Sequence, residues 1–448
     1  MFKIPELLKA TQGRLTSGDE SAIVKGISID SRHIKKGMAF IAIKGDNFDG
    51  HNFIRKSVEN GANCVITDRK TSKIDNVTII KVKNTVQALG DIARFNRNRY
   101  KIPVIVVTGS NGKTTTKDMI ARILSKDFRV LKNEGTKNNH IGLPLTLLNL
   151  DSSYDVAVLE VGTNHFGEVK YLSDIACANI GVITNIGPSH LEYFKNLGGV
   201  FKEKYDLVRN LKGPAITVLN GDDPYLRREL IKKNNKAFFI GVGVKNKSDY
   251  SASEIQDFSG KHTFKLNQRL KFALNAPGYY NIHNSLLAIA VARILGVEHR
   301  KIASALSSFE LPKGRLNLLK VKGVRFIDDT YNSNPLSLGQ ALRLLKEARV
   351  KGRKIVVMGD MLELGAASRR LHIQAIEDAA KVCDRLIVVG KISSLSLKEA
   401  HLLKNNIISC KNSSQARDIL LKKIIVEPGD TVLVKGSRMM KMEEVFDF

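Results

Sequence analysis

A glycine-rich turn between an apolar strand and an amphipathic helix constrains the fold of this chain more than any other feature. The turn lies in TGSNGKTTTKDM (108–119), which overlaps the end of the apolar segment PVIVVTG (103–109). A helix is predicted over 113–124, because apolar residues recur there at helical spacing. A strand, a glycine-rich turn and a helix in this order are typical of a phosphate-binding loop in a parallel α/β sheet.

The residue types in this turn suit phosphate chemistry. Gly109 and Gly112 let backbone N–H groups approach phosphate oxygens, and the helix amino terminus adds its dipole. Lys113 supplies a point charge, and the hydroxyl of Thr114 can bind Mg²⁺. The standard loop has a glycine five positions before Gly112, where this chain has Val107, so this loop is a shortened variant. Motor-protein and GTPase functions are therefore disfavoured, and a simple strand-to-helix turn is the structural alternative.

Two more polar residues follow predicted strands. Glu160 ends the apolar part of DVAVLEVG (155–162), and His190 comes shortly after ANIGVITNIG (178–187). In open parallel sheets, ligands bind beyond the carboxyl ends of the strands. A carboxylate there is costly unless it is solvated or paired, and a Mg²⁺ held by Thr114 would be a natural partner. Either residue alone is more often structural, but the three strand ends together favour a metal-assisted phosphate site, in which His190 could meet a second ion.

The length of the chain predicts more than one domain. At roughly 100–200 residues per domain, 448 residues correspond to two to four domains. The first eighty or so residues contain short β-type runs such as MAFIAIKG (38–45) and are expected to form a small α/β domain. A further α/β domain is predicted near the end of the chain from the strands RKIVVMG (353–359), DRLIVVG (384–390) and DTVLVKG (430–436).

The charge of the chain predicts attraction to polyanions. Lysine and arginine total 71 residues against 44 aspartates and glutamates, a formal net charge of +27. A basic nucleic-acid-binding ATPase is therefore one alternative. It is disfavoured because tryptophan is absent, aromatic residues make up only 6%, and no basic run is interleaved with aromatic residues. We expect no nucleic-acid partner.

The cellular setting is predicted from cysteines and hydropathy. The four cysteines are far apart and form no Cys-x-x-Cys pair, which argues against a disulfide framework or a zinc ribbon. No run of eighteen apolar residues occurs, and the amino terminus has no signal-peptide core. We expect a cytoplasmic protein with reduced thiols and no membrane span.

The phosphate loop is one of several sequence blocks that extend along the whole chain. The others are DSRHIKKGMAFIAIKG (30–45), DGHNFI (49–54), LEVGTNHFGEV (159–169), NIGPSHLEYF (185–194), YNIHNSLLAIAVA (280–292), KGRL (313–316), DDTYNSNP (328–335), GDMLELG (359–365) and KGSRMMKME (435–443). Together these blocks resemble the Mur ligases of bacterial cell-wall synthesis. DDTYNSNP, GDMLELG and NNHIGLPLTLL (138–148) are similar to the variants of the MurF type, which joins D-alanyl-D-alanine to UDP-N-acetylmuramoyl-tripeptide.

The resemblance implies an α/β fold in three domains. These are a small UDP-substrate-binding domain at 1–83, a central parallel-sheet P-loop ATPase domain at 84–312, and a Rossmann-like domain at 313–448. In this family the outer domains close on the central one, which would exclude water from a reactive intermediate. A monomer is expected.

The resemblance also implies an ADP-forming ligase reaction in two steps. ATP phosphorylates the peptide carboxylate, and the incoming amine then attacks the acyl phosphate and expels phosphate to form an amide. This reaction would serve peptidoglycan precursor synthesis, and with it cell shape and division. Nearer alternatives are a sister ligase that adds a single amino acid, folylpolyglutamate synthase, and a catalytically idle relative that acts as a binding protein.

The resemblance assigns residues to ATP and to two Mg²⁺ ions. Thr114 and Glu160 would hold the first ion, and Glu160 and His190 the second, while Asp329 would reach the nucleotide from the third domain. The residues expected to contact ATP are Gly109, Ser110, Asn111, Gly112, Lys113, Thr114, Thr115, Asn281, His283, Asn284 and Arg315.

The family resemblance further implies that Lys204 is carbamoylated by CO₂. The modified group would help to hold the second Mg²⁺, and only an unprotonated amine can react in this way. By itself FKEKYDL (201–207) is typical of an exposed charged helix, and the nearby Lys202 leaves the register open.

The substrate assignments implied by the resemblance fall in three places. Ser31, Arg32, Lys44 and Gly45 would line the uridine nucleotide pocket of the first domain. The sugar or peptide would contact Asn138 and Asn139, and D-alanyl-D-alanine would contact Asn332, Asn334 and Pro335. On its own, Asn-x-Asn-Pro is simply a turn signal.

Overall fold

The structure is a computed structural model of the chain that describes residues 1–232, 238–258, 260–400 and 406–447. In these residues the strands form three large sheets and one two-stranded sheet, and the large sheets follow one another along the chain. Helices cover the sheets, so the predicted α/β class is confirmed.

The first sheet is a five-stranded mixed sheet with order β2-β7-β6-β5-β4. Strands β4 to β7 pair in parallel, and β2 pairs with β7 in antiparallel orientation. The elements of this part are β1 (Phe2–Lys3), α1 (Ile4–Thr11), β2 (Arg14–Ser17), β3 (Ile23–Val24), β4 (Ile27–Ser28), β5 (Ala39–Ile41), α2 (Ile54–Glu59), β6 (Cys64–Thr67) and β7 (Thr78–Lys81).

The central sheet has nine strands among the described residues, in the order β16-β15-β14-β13-β12-β11-β8-β10-β9. All pairs are parallel except those that join β14 to β15 and β15 to β16. The elements are α3 (Thr85–Asn98), β8 (Val104–Thr108), α4 (Lys113–Leu124), β9 (Val130–Lys132), α5 (Gly142–Leu147), β10 (Val156–Glu160), α6 (Glu168–Ala176), β11 (Ile180–Ile183), α7 (Leu191–Phe194), α8 (Leu197–Arg209), β12 (Ile216–Asn220), α9 (Pro224–Lys232), β13 (Phe238–Gly243), β14 (Tyr250–Phe258), β15 (Lys261–Leu266), β16 (Leu270–Leu274), α10 (Tyr280–Ile294) and α11 (His299–Ser307).

Alternation along β8 shows why this strand lies in the middle of a three-layer domain. Ile105 and Val107 join a core with α4, α10 and α11, whereas Val104 and Val106 join a core with α5, α6 and α8 on the opposite face. Successive side chains of a strand point to opposite faces, so an unbroken apolar run fits a strand that is covered on both sides. The predicted helix over 113–124 is confirmed as α4.

The third sheet has six strands in the order β17-β18-β22-β19-β20-β21, and all pairs are parallel except β17 with β18. Its elements are β17 (Asn317–Val321), β18 (Val324–Asp329), α12 (Pro335–Glu347), β19 (Lys354–Gly359), α13 (Ser368–Ala380), β20 (Arg385–Val389), α14 (Lys391–Leu397), β21 (Ile407–Cys410), α15 (Ser413–Asp418), a π-helical turn (Ile419–Ile424) and β22 (Thr431–Lys435). Short 3-10 turns lie at Ser31–His33, Gly50–Phe53, Gly365–Ala367, Arg438–Met440 and Met442–Phe446.

Helix α3 connects the first sheet to the central one. Its residues Ala88, Leu89 and Ile92 belong to the apolar core of the first sheet, while Ala93 belongs to the core of the central sheet. The helix is therefore shared, and the predicted domain boundaries at 83/84 and 312/313 stay predictions. Within the described ranges, no helix is long and apolar enough to cross a membrane.

Candidate functional site

The phosphate loop adopts a conformation that requires glycine at two positions. Gly109 has φ 145° and Gly112 has φ 79°, a region that side chains with a Cβ rarely adopt. A Cβ on Gly112 would lie 2.5 Å from Oδ1 of Asn284 in α10, and a Cβ on Gly109 would collide with Thr184. The backbone of the loop therefore passes closely between β11 and α10, and α4 begins directly after it.

The segment that follows β11 holds the loop through its main chain. The amide of Ser110 donates to the carbonyl of Asn185 (3.0 Å), and the amide of Asn111 donates to Oδ1 of Asn185 (3.0 Å). Thr184 Oγ1 donates to the carbonyl of Asn111 (2.5 Å), and the amide of Gly187 donates to Ser110 Oγ (2.9 Å). These bonds fix the backbone of the loop against the segment that follows β11.

Asn281 and Asn284, two of the residues assigned to ATP, lie beneath the loop and do not line the cavity that contains it. Asn284 accepts a hydrogen bond from Thr116 (3.2 Å) and donates to Oδ1 of Asn281 (2.8 Å), and both asparagines are buried. Their geometry fixes α10 against α4. His283 points elsewhere, with its Nε2 2.8 Å from Oδ2 of Asp222.

Glu160 is buried at the end of β10, where register places it opposite Val107 of β8. Its Oε1 accepts a hydrogen bond from Asn138 Nδ2 (2.7 Å), and its main chain is paired twice with Asn133. Its Oε2 is buried and has no hydrogen-bond partner. Buried carboxylate oxygens are normally satisfied, so this oxygen fits a site for a cation.

Lys113 folds back onto the loop, where its amine donates to the carbonyls of Gly109 (2.8 Å) and Ser110 (3.3 Å). Burial lowers the pKa of this amine, Glu160 partly offsets that effect, and Arg315 lowers the pKa further. Lys113 is thus held close to the carboxylate and to the mouth of the loop.

Arg315, from the segment that leads into the third domain, reaches the phosphate loop. Its Nη2 donates to Thr114 Oγ1 (2.8 Å), and its guanidinium carbon lies 4.0 Å from the ring centre of Tyr331. Stacking on an aromatic ring fixes the orientation of a guanidinium group. The guanidinium group of Arg315 therefore contacts the Thr114 hydroxyl, which was predicted to bind Mg²⁺.

The third domain also contacts the loop through amides. Asn111 and Asn334 form a reciprocal pair, in which Nδ2 of each donates to Oδ1 of the other (3.2 and 2.8 Å). Asn334 also caps α12, which begins at Pro335. Asp329 pairs with Lys435 (2.5 Å), and this lysine also donates to the carbonyl of Asn332 (2.8 Å).

These groups surround a cavity of about 450 Å³ between the central and third domains. The predicted site residues that line it are Ser110, Asn111, Gly112, Lys113, Thr114, Thr115, Asn138, Asn139, Glu160, His190, Arg315, Asp329, Asn332 and Asn334. The ends of three neighbouring strands of the central sheet, β10, β8 and β11, thus contribute to one cavity. No three or more His, Cys, Asp or Glu side chains are grouped to hold a metal ion within the described part of the chain. Mg²⁺ commonly binds through one or two carboxylates, with water and phosphate as the other ligands, so this small donor set suits it.

Lys204 is buried in α8, whereas Lys202 is exposed on the same helix. The structural alternative, an exposed charged helix over 201–207, is therefore wrong for Glu203, Lys204, Tyr205 and Leu207. Glu203 accepts hydrogen bonds from the amides of Gly167 (2.7 Å) and Val169 (2.8 Å) at the start of α6, which explains how its carboxylate can be buried. Burial lowers the pKa of the Lys204 amine well below its ordinary value, Lys113 lowers it further, and Glu203 partly offsets both.

The four residues assigned to the uridine pocket lie in the first domain and do not line this cavity, whose described lining begins at Ser110. The carbonyl of Ser31 accepts from Asn60 (2.8 Å), and Arg32 pairs with Asp30 (2.7 Å). The main chains of Lys44 and Asp49 form an isolated antiparallel β-bridge, and the amide of Gly45 closes the turn between them by donating to the carbonyl of Phe48 (2.9 Å). The structure therefore separates the predicted nucleotide pocket of the substrate from the phosphate loop.

Several residues of the site were not predicted from the sequence. They are Asn185, which holds the loop, Tyr331, which stacks on Arg315, Lys435, which pairs with Asp329, and Glu363, whose carboxylate contacts His190. Each lies inside a sequence block that carried the family resemblance. Their positions in those blocks were a usable signal, but their partners are far away in the chain.

Fold and site together define a phosphate-loop protein of three α/β domains, in which the third domain completes the site on the central domain. Family models match all three parts: the Mur ligase family catalytic domain over residues 23–97, the Mur ligase middle domain over 107–292, and the Mur ligase glutamate ligase domain over 314–438. The chain belongs to the Mur ligase family of ATP-dependent ligases.

Relatives and solved structures match over nearly the full length. The UDP-N-acetylmuramoyl-tripeptide–D-alanyl-D-alanine ligase of Bacillus subtilis is 34% identical, over 95% of this chain and 93% of its own. A crystal structure of MurF from Acinetobacter baumannii is 31% identical and covers 100% of this chain and 98% of its own, with a TM-score of 0.92. The MurF ligase of Thermotoga maritima in complex with ADP is 29% identical and covers 95% and 96% of the two chains, with a TM-score of 0.84. The predicted resemblance to Mur ligases is confirmed.

Proposed function

We propose that this chain joins D-alanyl-D-alanine to UDP-N-acetylmuramoyl-tripeptide in an ATP-dependent, ADP-forming reaction of peptidoglycan precursor synthesis. The observation that carries the proposal is the single cavity in which the phosphate loop and Glu160 meet Arg315 and Asp329 from the third part of the chain. The named relatives support the same reaction, because they match over nearly the whole chain. The cytoplasmic location and the monomeric state predicted from the sequence belong to this proposal.

The residues of the loop fit a nucleotide with Mg²⁺. When bound, ATP supplies the phosphoryl group and Mg²⁺ neutralises charge on its oxygens. Thr114 and the unpartnered Oε2 of Glu160 are the proposed ligands of a first ion, and Glu160 and His190 those of a second. Arg315 donates a hydrogen bond to the Thr114 hydroxyl, and it would have to exchange this bond for one with phosphate when Thr114 binds the ion. Asn281, His283 and Asn284 remain proposed neighbours of the nucleotide, the two asparagines through their hold on the loop.

Lys113 is the proposed electrostatic catalyst. Its amine is held at the mouth of the loop by two carbonyl oxygens, where it can stabilise negative charge on the transferring group. The peptide carboxylate would take up the phosphoryl group, and the amine of D-alanyl-D-alanine would then attack the carbonyl carbon and expel phosphate. Docking of the third domain would exclude water from the acyl phosphate in between.

Lys204 is the proposed site of carbamoylation. Its low pKa provides the neutral amine that can add to CO₂, which forms a carbamate and releases a proton. The reaction would replace a buried neutral amine with an anion beside Lys113. That change would give the small donor set of this site another oxygen ligand.

The substrates are proposed to span the domains. Ser31, Arg32, Lys44 and Gly45 would bind the uridine nucleotide, which would leave the peptide to extend towards Asn138 and Asn139. Asn332, Asn334 and Pro335 would hold D-alanyl-D-alanine on the side of the third domain.

Phosphate release from ATP tests this function and its sister alternative. With Mg²⁺, rapid release is expected only when UDP-N-acetylmuramoyl-tripeptide and D-alanyl-D-alanine are both present, because attack by the amine is what expels phosphate. Each substrate alone, and a shorter UDP-muramyl peptide with a single amino acid, are the controls. Rapid turnover with the latter pair alone would reassign the chain to a sister ligase, and release stimulated by DNA would revive a nucleic-acid-binding ATPase.

A further inference from the structure

Two residues that line the cavity, one from the central domain and one from the third domain, contact each other. The proposed reaction gives this contact no role. Nδ1 of His190 lies 2.5 Å from Oε2 of Glu363. His190 comes after β11 of the central sheet, and Glu363 comes after β19 of the third sheet. Both line the cavity, and the histidine side chain is only 20% exposed. The pair is thus a contact across the domain interface at the edge of the proposed metal site.

Both residues have a backbone conformation that is uncommon outside glycine. His190 has φ 50° and Glu363 has φ 62°, which places both in the left-handed region. This region is disfavoured for residues with a Cβ, and such residues cluster at functional sites. Two strained residues from different domains therefore meet at one close contact between an imidazole nitrogen and a carboxylate oxygen.

Main-chain contacts fix the loop that carries Glu363. Its carbonyl accepts a hydrogen bond from the amide of Glu192 (3.1 Å), and the amide of Met361 donates to Nε2 of the buried His372 (2.9 Å). A Cβ on Gly365 would lie 2.9 Å from Cα of Glu192, so the loop approaches α7 as closely as glycine allows. The carboxylate of Glu363 is therefore aimed at His190 by a loop that is held on both sides.

The chemistry of imidazole gives this contact a role. In a neutral ring one nitrogen carries the proton and the other has a free lone pair. A carboxylate at Nδ1 selects the form in which Nδ1 donates, and this leaves Nε2 on the opposite edge of the ring free to bind a metal. Histidines that bind metals in proteins commonly donate their other N–H to a carboxylate in this way.

We propose that Glu363 is a positioning residue that accepts a hydrogen bond from the Nδ1–H of His190 and so keeps Nε2 available for the second Mg²⁺. This inference rests on the proposed function, which assigns His190 to that ion. Glu363 belongs to the third domain and His190 to the central domain. Glu363 therefore orients His190 for the second ion only while the third domain is docked, which links domain closure to metal binding.

Binding of Mn²⁺ in the presence of ADP tests the inference on the full chain. Pulsed electron paramagnetic resonance detects a nitrogen coupling when imidazole binds Mn²⁺, and we expect such a coupling that His190→Ala removes. Glu363→Ala is expected to reduce this coupling and to weaken the second Mn²⁺ site about 10–100-fold, the range typical for partners of metal-binding histidines. Glu363→Gln is expected to fall between, because its amide oxygen can still accept a hydrogen bond from Nδ1–H.

Glu192→Gln is the matched control. It removes a carboxylate of the same charge near the same interface, while its main-chain contact with Glu363 is kept, and it should leave the coupling and the Mn²⁺ affinity unchanged. Thermal unfolding checks that each variant is folded. An unchanged coupling and affinity in Glu363→Ala would overturn the inference, as would a wild-type chain without a coupling that depends on His190. Product formation by the wild-type chain is measured separately, so failure of the proposed function is distinguished from failure of this inference.

Discussion

Replacement of Lys113 by alanine is expected to lower kcat for ADP formation by about 10³-fold or more. Phosphoryl transfer depends on positioning and on neutralisation of charge, and Lys113 is the cation that the phosphate loop holds at its mouth. The expected effect on unfolding is small, because the side chain contacts only carbonyls of its own loop among the bonds described. Steady-state phosphate release with both substrates, together with thermal unfolding, measures the two effects.

Lys126→Ala is the matched control for this substitution. Lys126 lies just beyond the end of α4 and is exposed, so its loss changes the net charge equally and should leave kcat unchanged. Lys113→Arg keeps the charge but not the compact ammonium group, and it should recover only part of the rate. Phosphate release at the wild-type rate by Lys113→Ala would show that the loop assignment is wrong.

Replacement of Lys204 by alanine is expected to make the enzyme nearly inactive, with a loss of about 10²-fold or more if a metal ligand is removed. A small carboxylate such as formate or acetate should restore part of the activity, because it can occupy the space of the missing carbamate. The variant should unfold at a temperature no lower than that of the wild-type chain, because the substitution removes a buried amine whose pKa is strongly lowered. The measurements are phosphate release with and without the carboxylate, and thermal unfolding.

Lys202→Ala provides the matched control on the same helix. Lys202 is exposed and its amine lies 5.9 Å from the ring centre of Phe166, so its loss should change the rate little. Normal activity of Lys204→Ala would exclude carbamoylation as a requirement. A complete lack of rescue, with the variant folded, would remove the support for a carboxylate at this position.

The phosphate loop and the order of elements around it were predictable because they are local. The turn 109–112 and helix α4 depend on residues that are neighbours in the sequence, and α4 begins at Lys113 as expected. The placement of Glu160 was also predictable, because neighbouring parallel strands bring their carboxyl ends to one edge of the sheet.

Long-range contacts account for what the sequence did not indicate. The carboxylate of Glu203 is buried beside Lys204 because amides at the start of α6 satisfy it, and nothing in the charged segment 201–207 shows that these amides are available. The pair formed by His190 and Glu363 depends on how the third domain docks. Asn281 and Asn284 lie on the face of α10 that packs beneath the phosphate loop. The sequence pattern of this helix is apolar all round, so it does not reveal which side faces the loop.

Transfer of oxygen from the peptide carboxylate to phosphate tests carboxylate activation most directly. UDP-N-acetylmuramoyl-tripeptide with ¹⁸O at both oxygens of its terminal carboxylate is converted with ATP, Mg²⁺ and unlabelled D-alanyl-D-alanine. The ¹⁸O content of the phosphate and of the peptide product is then measured by mass spectrometry. The expected result is one ¹⁸O in each phosphate released and one in the new amide, because the carboxylate oxygen that attacks phosphorus leaves with it when the amine forms the amide. Phosphate without ¹⁸O, or phosphate release without a product that contains both substrates, would contradict a ligase reaction through an acyl phosphate.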